Sequence, residues 1–169
     1  MNITLIGFSG VGKTLFGIEL AEKLDYVFID TDELISKSKG LSINELLEKT
    51  GEDVFKRIEE QAILDLDLSS DCVIATGGSV IYSTRTMNYL RVNSIIFFLN
   101  EPLDSIKERI GGFELRGIVG LSSRTIEEIY TERLPLYQQY ADHVIPIRGD
   151  YDSSKYVGKI LKLVLPKVK

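Results

Sequence analysis

The stretch GFSGVGKT spaces Gly7, Gly12, Lys13 and Thr14 as G-x-x-x-x-G-K-[ST]. These residue types at this spacing suit the holding of phosphate. Glycines let the backbone curl until several N–H groups point into one concavity. A helix starting there adds its positive end. Lys13 would reach the β- and γ-phosphates of a nucleotide, and the Thr14 hydroxyl would ligate Mg²⁺. Contacts to the nucleotide are expected along Gly10, Val11, Gly12, Lys13, Thr14 and Leu15. A dinucleotide fingerprint would need glycine where Leu15 stands. The chain also has no Asn-Lys-x-Asp and no Asp-x-x-Gly, which argues against a GTPase. What remains is a small ATP-using kinase, or a nucleotide-binding module without catalysis.

A second cluster lies in FIDTDELI, which carries Asp30 and Asp32. Two acids at i and i+2, at the carboxyl end of a strand beside a phosphate loop, could serve a magnesium ion and an acceptor hydroxyl. The plainer alternative is a turn and helix cap, with Thr31 or Asp32 capping ELISKS.

These groups need a scaffold that brings them to one edge. Short apolar runs alternate with longer amphipathic segments, the pattern of an α/β protein with a mainly parallel sheet. Candidate strands are residues 2–8, 26–29, 72–76, 94–99 and 143–147, the first, third and fourth nearly continuous apolar stretches, as covered central strands are. Helical periodicity runs over 13–24, through Phe16, Leu20 and Leu24, and over 51–68, through Phe55, Ile58, Ala62, Ile63 and Leu66. A third helix is expected in SSRTIEEIYTERLPLYQQYA, with the serines as caps and Pro135 kinking or restarting it. Residues 111–123 hold four glycines and read as a mobile loop or lid.

Composition narrows the setting. A chain of 169 residues suits a single domain, 1–169, with that lid inside it. The formal charge of −5 argues against a general nucleic-acid binder. One cysteine, Cys72 in the apolar run CVIA, reads as a buried structural thiol in a reducing compartment. One Cys and one His, His143, leave almost no zinc ligands. No apolar run is long enough to span a bilayer. The expectation is a cytoplasmic monomer without membrane or nucleic-acid partners.

The ordered series GFSGVGKT, DTD, GEDVFKRIEEQAI, VIATGG and ERLPLYQQYAD resembles the shikimate kinase family. The resemblance implies a three-layer α/β/α P-loop kinase fold whose five-stranded, mainly parallel sheet has the order 2-3-1-4-5. It implies ATP and Mg²⁺, and a small anionic polyol acceptor, shikimate first. It assigns Asp30 to magnesium and the hydroxyl proton, and Asp32 to substrate hydroxyls. Gly77 and Gly78 would place backbone N–H groups against the γ-phosphate and the substrate. Arg133 would bind the substrate carboxylate, and Arg116 would be a lid arginine over the transferring phosphate. Arg148 in PIRGD would neighbour the adenine.

The departures from the family pattern cluster on the acceptor side. Lys56 stands where the family has a carboxylate-binding arginine, and Glu59 still matches the acid that would orient it. Lysine is a compact point charge where arginine is a planar fork. Ser79 replaces a third glycine, Gly117 follows Arg116 where the family has proline, and Leu15 replaces a second hydroxyl. Another polyol or sugar acid therefore stays open as the acceptor, as does a regulatory module lacking efficient transfer.

Overall fold

The computed structural model describes residues 1–110, 117–148 and 152–165. Strand β1 (Asn2–Ile6) is buried at every residue, as its apolar run requires of a strand covered on both faces. It pairs in parallel with β3 (Cys72–Ala75) on one side and β4 (Ser94–Asn100) on the other. Strands β2 (Val27–Asp30) and β5 (His143–Pro146) add the edges, giving the order β2-β3-β1-β4-β5. This is the order that the resemblance implies. Most strands end a residue or two from the expected bounds.

Side-chain alternation builds two cores from the same strands. Phe97 and Leu99 of β4 join Ile3, Leu5 and Val73 on one face. That face is covered by α1 (Lys13–Leu24) and α8 (Ser153–Val164), through Phe16, Leu20, Tyr156 and Ile160. Ile96 and Phe98 turn the other way with Ile6 and Ile74. They pack under α5 (Thr84–Asn93) and α7 (Ile126–Tyr140), against Met87, Leu90, Ile129 and Tyr137. Each such fully buried side chain contributes about 1.5–3 kcal/mol of apolar transfer. Cys72 is 1% exposed, and burial pushes its thiol up to about 11, so it is an inert part of the core.

The remaining helices shape the end of the sheet where the strands finish. Between β2 and β3 run α2 (Thr31–Lys39), α3 (Ile43–Thr50) and α4 (Glu52–Leu64). They share a smaller core of Ile35, Leu46 and Phe55, into which Val119 inserts from far along the chain. Helix α6 (Leu103–Ile110) follows β4. Among the described residues, no helix is long and apolar enough to cross a membrane.

Three local expectations are corrected. Helix α7 passes through Pro135 without interruption. Proline removes one backbone donor there, but the helix does not restart, and Ile129, Arg133, Tyr137 and Tyr140 are buried on both sides of it. Its cap is not a serine. Thr125 forms a reciprocal capping box with Glu128, satisfying two backbone donors at once. The second amphipathic segment also ends early, at Leu64, where the Asp65 N–H bonds back to Gln61.

Gly7 is the glycine that the fold most requires. Its φ is 150°, and a Cβ there would stand 2.7 Å from the Leu99 carbonyl oxygen. Gly7→Ala should therefore lower unfolding free energy by about 2 kcal/mol in a urea titration. A loss below about 0.5 kcal/mol, the range of an ordinary surface change, would show that the loop is not held there.

Candidate active site

The phosphate loop leaves β1 and enters α1. Gly10 and Gly12 take φ of 81° and 97°, which residues with a Cβ rarely adopt. No side chain caps α1 among the described residues, and the first amides of a helix have no partner within it. Lys13 is the first helical residue and is 8% exposed. Its ammonium donates to the carbonyls of Gly7 (2.8 Å) and Phe8 (2.9 Å). Burial lowers Lys13 to about 8, against the pull of Asp32 and Asp30. Val11 is buried in the core beneath the loop, while Leu15 faces outward, about half exposed.

Asp30 caps a helix and also touches the phosphate loop. Oδ1 caps α2 by accepting from the N–H groups of Asp32 (3.0 Å) and Glu33 (3.2 Å). Oδ2 accepts the Thr14 hydroxyl at 2.6 Å. The cap is thus Asp30 itself, which locks its carboxylate beside the phosphate loop. Asp32 points the other way, towards Gly77: a Cβ on Gly77 would lie 2.7 Å from Asp32 Oδ1. Burial pushes Asp32 up to about 6, with Lys13 opposing and Asp30 adding to the shift.

Beyond β3 the chain runs through Gly77, Gly78 and Ser79 into a short 3-10 turn, Val80–Tyr82. The Gly77 N–H donates to Thr31 Oγ1 (3.2 Å), and the Gly78 carbonyl accepts from Tyr137. Ser79 is 6% exposed and its hydroxyl donates to Glu59 Oε2 at 2.6 Å. Arg133, 1% exposed, lies with its guanidinium 3.1 Å from where a Cβ on Gly78 would be. Its Nη2 donates to the Val119 carbonyl (2.7 Å) and its Nε to Tyr82 Oη (3.2 Å). The same guanidinium sits 5.1 Å from the Tyr82 ring centre.

Asp32, Glu59, Gly77, Gly78, Ser79 and Arg133 therefore line one cavity, with Ile118 and Val119 closing it. Its volume is about 30 Å³, room for a couple of waters and not for a ring-sized acceptor. Glu52 Oε1 holds the closing segment by accepting from the Gly120 N–H (2.7 Å) and the Ser122 hydroxyl (3.0 Å). Lys56 is not among the lining residues. It borders a neighbouring cavity of about 140 Å³ with Arg57, Glu60 and Tyr82, and Glu59 and Ser79 form the wall between the two. The Lys56 ammonium rests over the Tyr82 ring at 5.3 Å.

One expected residue, Arg148, lies apart from this group. Arg148 follows β5, two strands from the phosphate loop, its side chain exposed and its N–H donating to Tyr156 Oη. Arg116 falls outside the described residues, as do residues 111–115 of the glycine-rich segment; its described end, 117–123, is tucked in, with Ile118 and Val119 buried. One functional residue escaped the sequence reading. Arg109 grips Glu101 with both guanidinium arms and donates to the Gly10 carbonyl at 2.6 Å. Glu101 is 4% exposed and Arg109 partly so, and this half-buried ion pair ties α6 to the phosphate loop. The only signal in the sequence was a charge at the end of an amphipathic helix.

Residues 9–164 match the family model described as shikimate kinase. A shikimate kinase of Thermodesulfovibrio yellowstonii is 38% identical over 150 residues, covering 88% of this chain and 86% of the relative. One from Caldanaerobacter subterraneus subsp. tengcongensis is 36% identical, covering 86% of both. The solved shikimate kinase from Acinetobacter baumannii in complex with shikimate superposes with a TM-score of 0.88 at 30% identity, over 98% of this chain and 93% of that one. The Aquifex aeolicus enzyme gives 0.80 at 29%, over 99% of this chain and 98% of that one. On sequence and fold together, the chain belongs to the shikimate kinase family.

Proposed function

We propose that this chain transfers the γ-phosphoryl group of ATP to a hydroxyl of shikimate. The observation that carries this reading is the convergence of Lys13, Asp32, Glu59 and Arg133 around Gly77 and Gly78. A phosphate loop alone would fit many nucleotide users. A buried arginine and two acids beside it fit an acceptor that carries both a carboxylate and hydroxyls.

Phosphoryl transfer is mostly positioning and charge compensation. Lys13 exchanges its two backbone carbonyl partners for phosphate oxygens, which restores the charge stabilisation that burial removes. Arg133 exchanges the Val119 carbonyl for the acceptor carboxylate. Asp32, raised towards neutrality, accepts the hydroxyl proton; a base works best when its pKa lies near the operating pH. Asp30 is less suited to that step because both its oxygens are engaged. Ile118 and Val119 exclude water from the acceptor cavity.

Thr14 Oγ1 and Asp30 Oδ2 are two hard oxygens 2.6 Å apart at the edge of the phosphate loop, a donor set that fits Mg²⁺. Magnesium bound there would neutralise charge on the phosphates.

A second acceptor is favoured by one observation. Lys56 lies behind the Ser79–Glu59 wall and not beside Arg133, which fits a related polyol acid with a differently placed carboxylate.

Release of ADP with ATP and Mg²⁺, across a panel of polyol acids, should depend on shikimate. Turnover with another acid alone would favour the second reading, and ATP binding without turnover on any acid would sink both. Lys13→Ala should cut kcat by about 10³-fold without unfolding the chain; near-normal activity would remove Lys13 from the phosphate site. Lys56→Arg should move the acceptor KM by about threefold to tenfold and leave the ATP KM alone. Equal or absent effects would separate Lys56 from the acceptor.

A further inference from the structure

Tyr82 closes the 3-10 turn that follows Ser79, and its N–H donates to the Ser79 carbonyl at 3.0 Å. Its ring packs against the edge of the core, yet most of its partners are charged. The Arg133 guanidinium lies 5.1 Å from the ring centre and the Lys56 ammonium 5.3 Å from it. One ring thus carries two cations, each attracted by its π-face. The Tyr82 hydroxyl donates to Glu132 Oε1 and accepts from Arg133 Nε at 3.2 Å. The other oxygen of Glu132 is gripped by Arg124.

A phenol has one hydrogen to give and lone pairs to receive. With its hydrogen committed to Glu132, the Tyr82 oxygen turns its lone pairs to Arg133. The chain Arg124–Glu132–Tyr82 therefore ends on a single atom, Nε. An arginine can grip a carboxylate with its two terminal nitrogens, or with Nε and one of them. In Arg133 the terminal nitrogens lie on the cavity side. Nη2 donates to the Val119 carbonyl, and Nη1 stands 3.1 Å from where a Cβ on Gly78 would be. Gly78 and Val119 both line the acceptor cavity, whereas Tyr82 does not, so Tyr82 acts on that cavity only through Arg133.

Resting on the reading of Arg133 as the group that meets the acceptor carboxylate, we propose that Tyr82 is a positioning residue that selects the edge of Arg133 offered to the acceptor. By holding Nε and the plane of the guanidinium, it leaves the Nη1–Nη2 edge for the carboxylate and closes the side-on grip. The acceptor carboxylate must then arrive from the Gly78 and Val119 side. The hydroxyl sets the direction of a planar fork. The ring, shared with Lys56, sets how far apart the two cations stand.

The test uses the whole chain with shikimate, ATP and Mg²⁺. Tyr82→Phe keeps the ring and its packing and removes only the hydroxyl. It should raise the acceptor KM about tenfold and leave the ATP KM unchanged; a ring that merely packs would change neither. Tyr82→Leu, which removes the ring as well, should raise the acceptor KM further. Glu132→Gln should give a smaller rise, and adding it to Tyr82→Phe should change little, because Glu132 acts through the hydroxyl. A readout independent of turnover is the Arg133 Nε–Hε resonance in nuclear magnetic resonance spectra. It should move in unliganded Tyr82→Phe, and it should stay in place when shikimate is added to the unaltered chain. An unmoved acceptor KM in Tyr82→Phe overturns the positioning role, and an unmoved resonance overturns the contact behind it. A large shift of the same resonance on adding shikimate overturns the choice of edge. If the unaltered chain does not turn over shikimate, that counts against the proposed activity, and the resonance without ligand then upholds or overturns the hold of Tyr82 on Arg133.

Discussion

Parallel pairing of β1 with β3 and β4 sends three neighbouring strand ends to the same edge of the sheet. The charged groups of the site are organised around that edge and its β2 neighbour. The phosphate loop continues β1, Asp30 closes β2, the Gly77–Ser79 turn continues β3, and Glu101 follows β4. Parallel strands need crossovers, and those helices supply the partners: α1 carries Lys13, α4 carries Glu59, α7 carries Arg133. The site is therefore a direct consequence of strand direction.

Such convergence carries an electrostatic cost that the resting protein meets with its own backbone. Lys13 and Arg133 are nearly inaccessible to water, and each takes backbone carbonyl oxygens as stand-in ligands. Neither buried cation is left without an oxygen partner. On the acid side the solution differs. Asp30 accepts three hydrogen bonds, whereas burial pushes Asp32 up to about 6 and Glu59 up to about 7.

The donor half of this arrangement was legible in the sequence because it is local. The loop, its lysine and its threonine lie within eight residues between a strand and a helix, and the order of apolar runs carried the sheet. The acceptor half depends on contacts between distant segments. Ser79 and Glu59 are 20 residues apart, and Arg109 reaches the phosphate loop across 99. Alignment could mark Lys56 and Ser79 as departures, yet it could not show that a wall made by one of them separates the other from Arg133. Pro135 does not end the helix for a related reason: propensity describes an isolated helix, and α7 is carried through by what it buries.

The Val119 carbonyl on Arg133 bears on which molecules enter. That oxygen is tethered to the site, so its local concentration far exceeds that of any free solute. A neutral polyol offers the arginine nothing better than a hydroxyl, and loses the competition to the chain's own backbone. A carboxylate brings full charge and two oxygens, enough to displace it. Under the proposed function, the segment around Val119 would therefore act as a built-in competitor, with a threshold that screens out uncharged sugars.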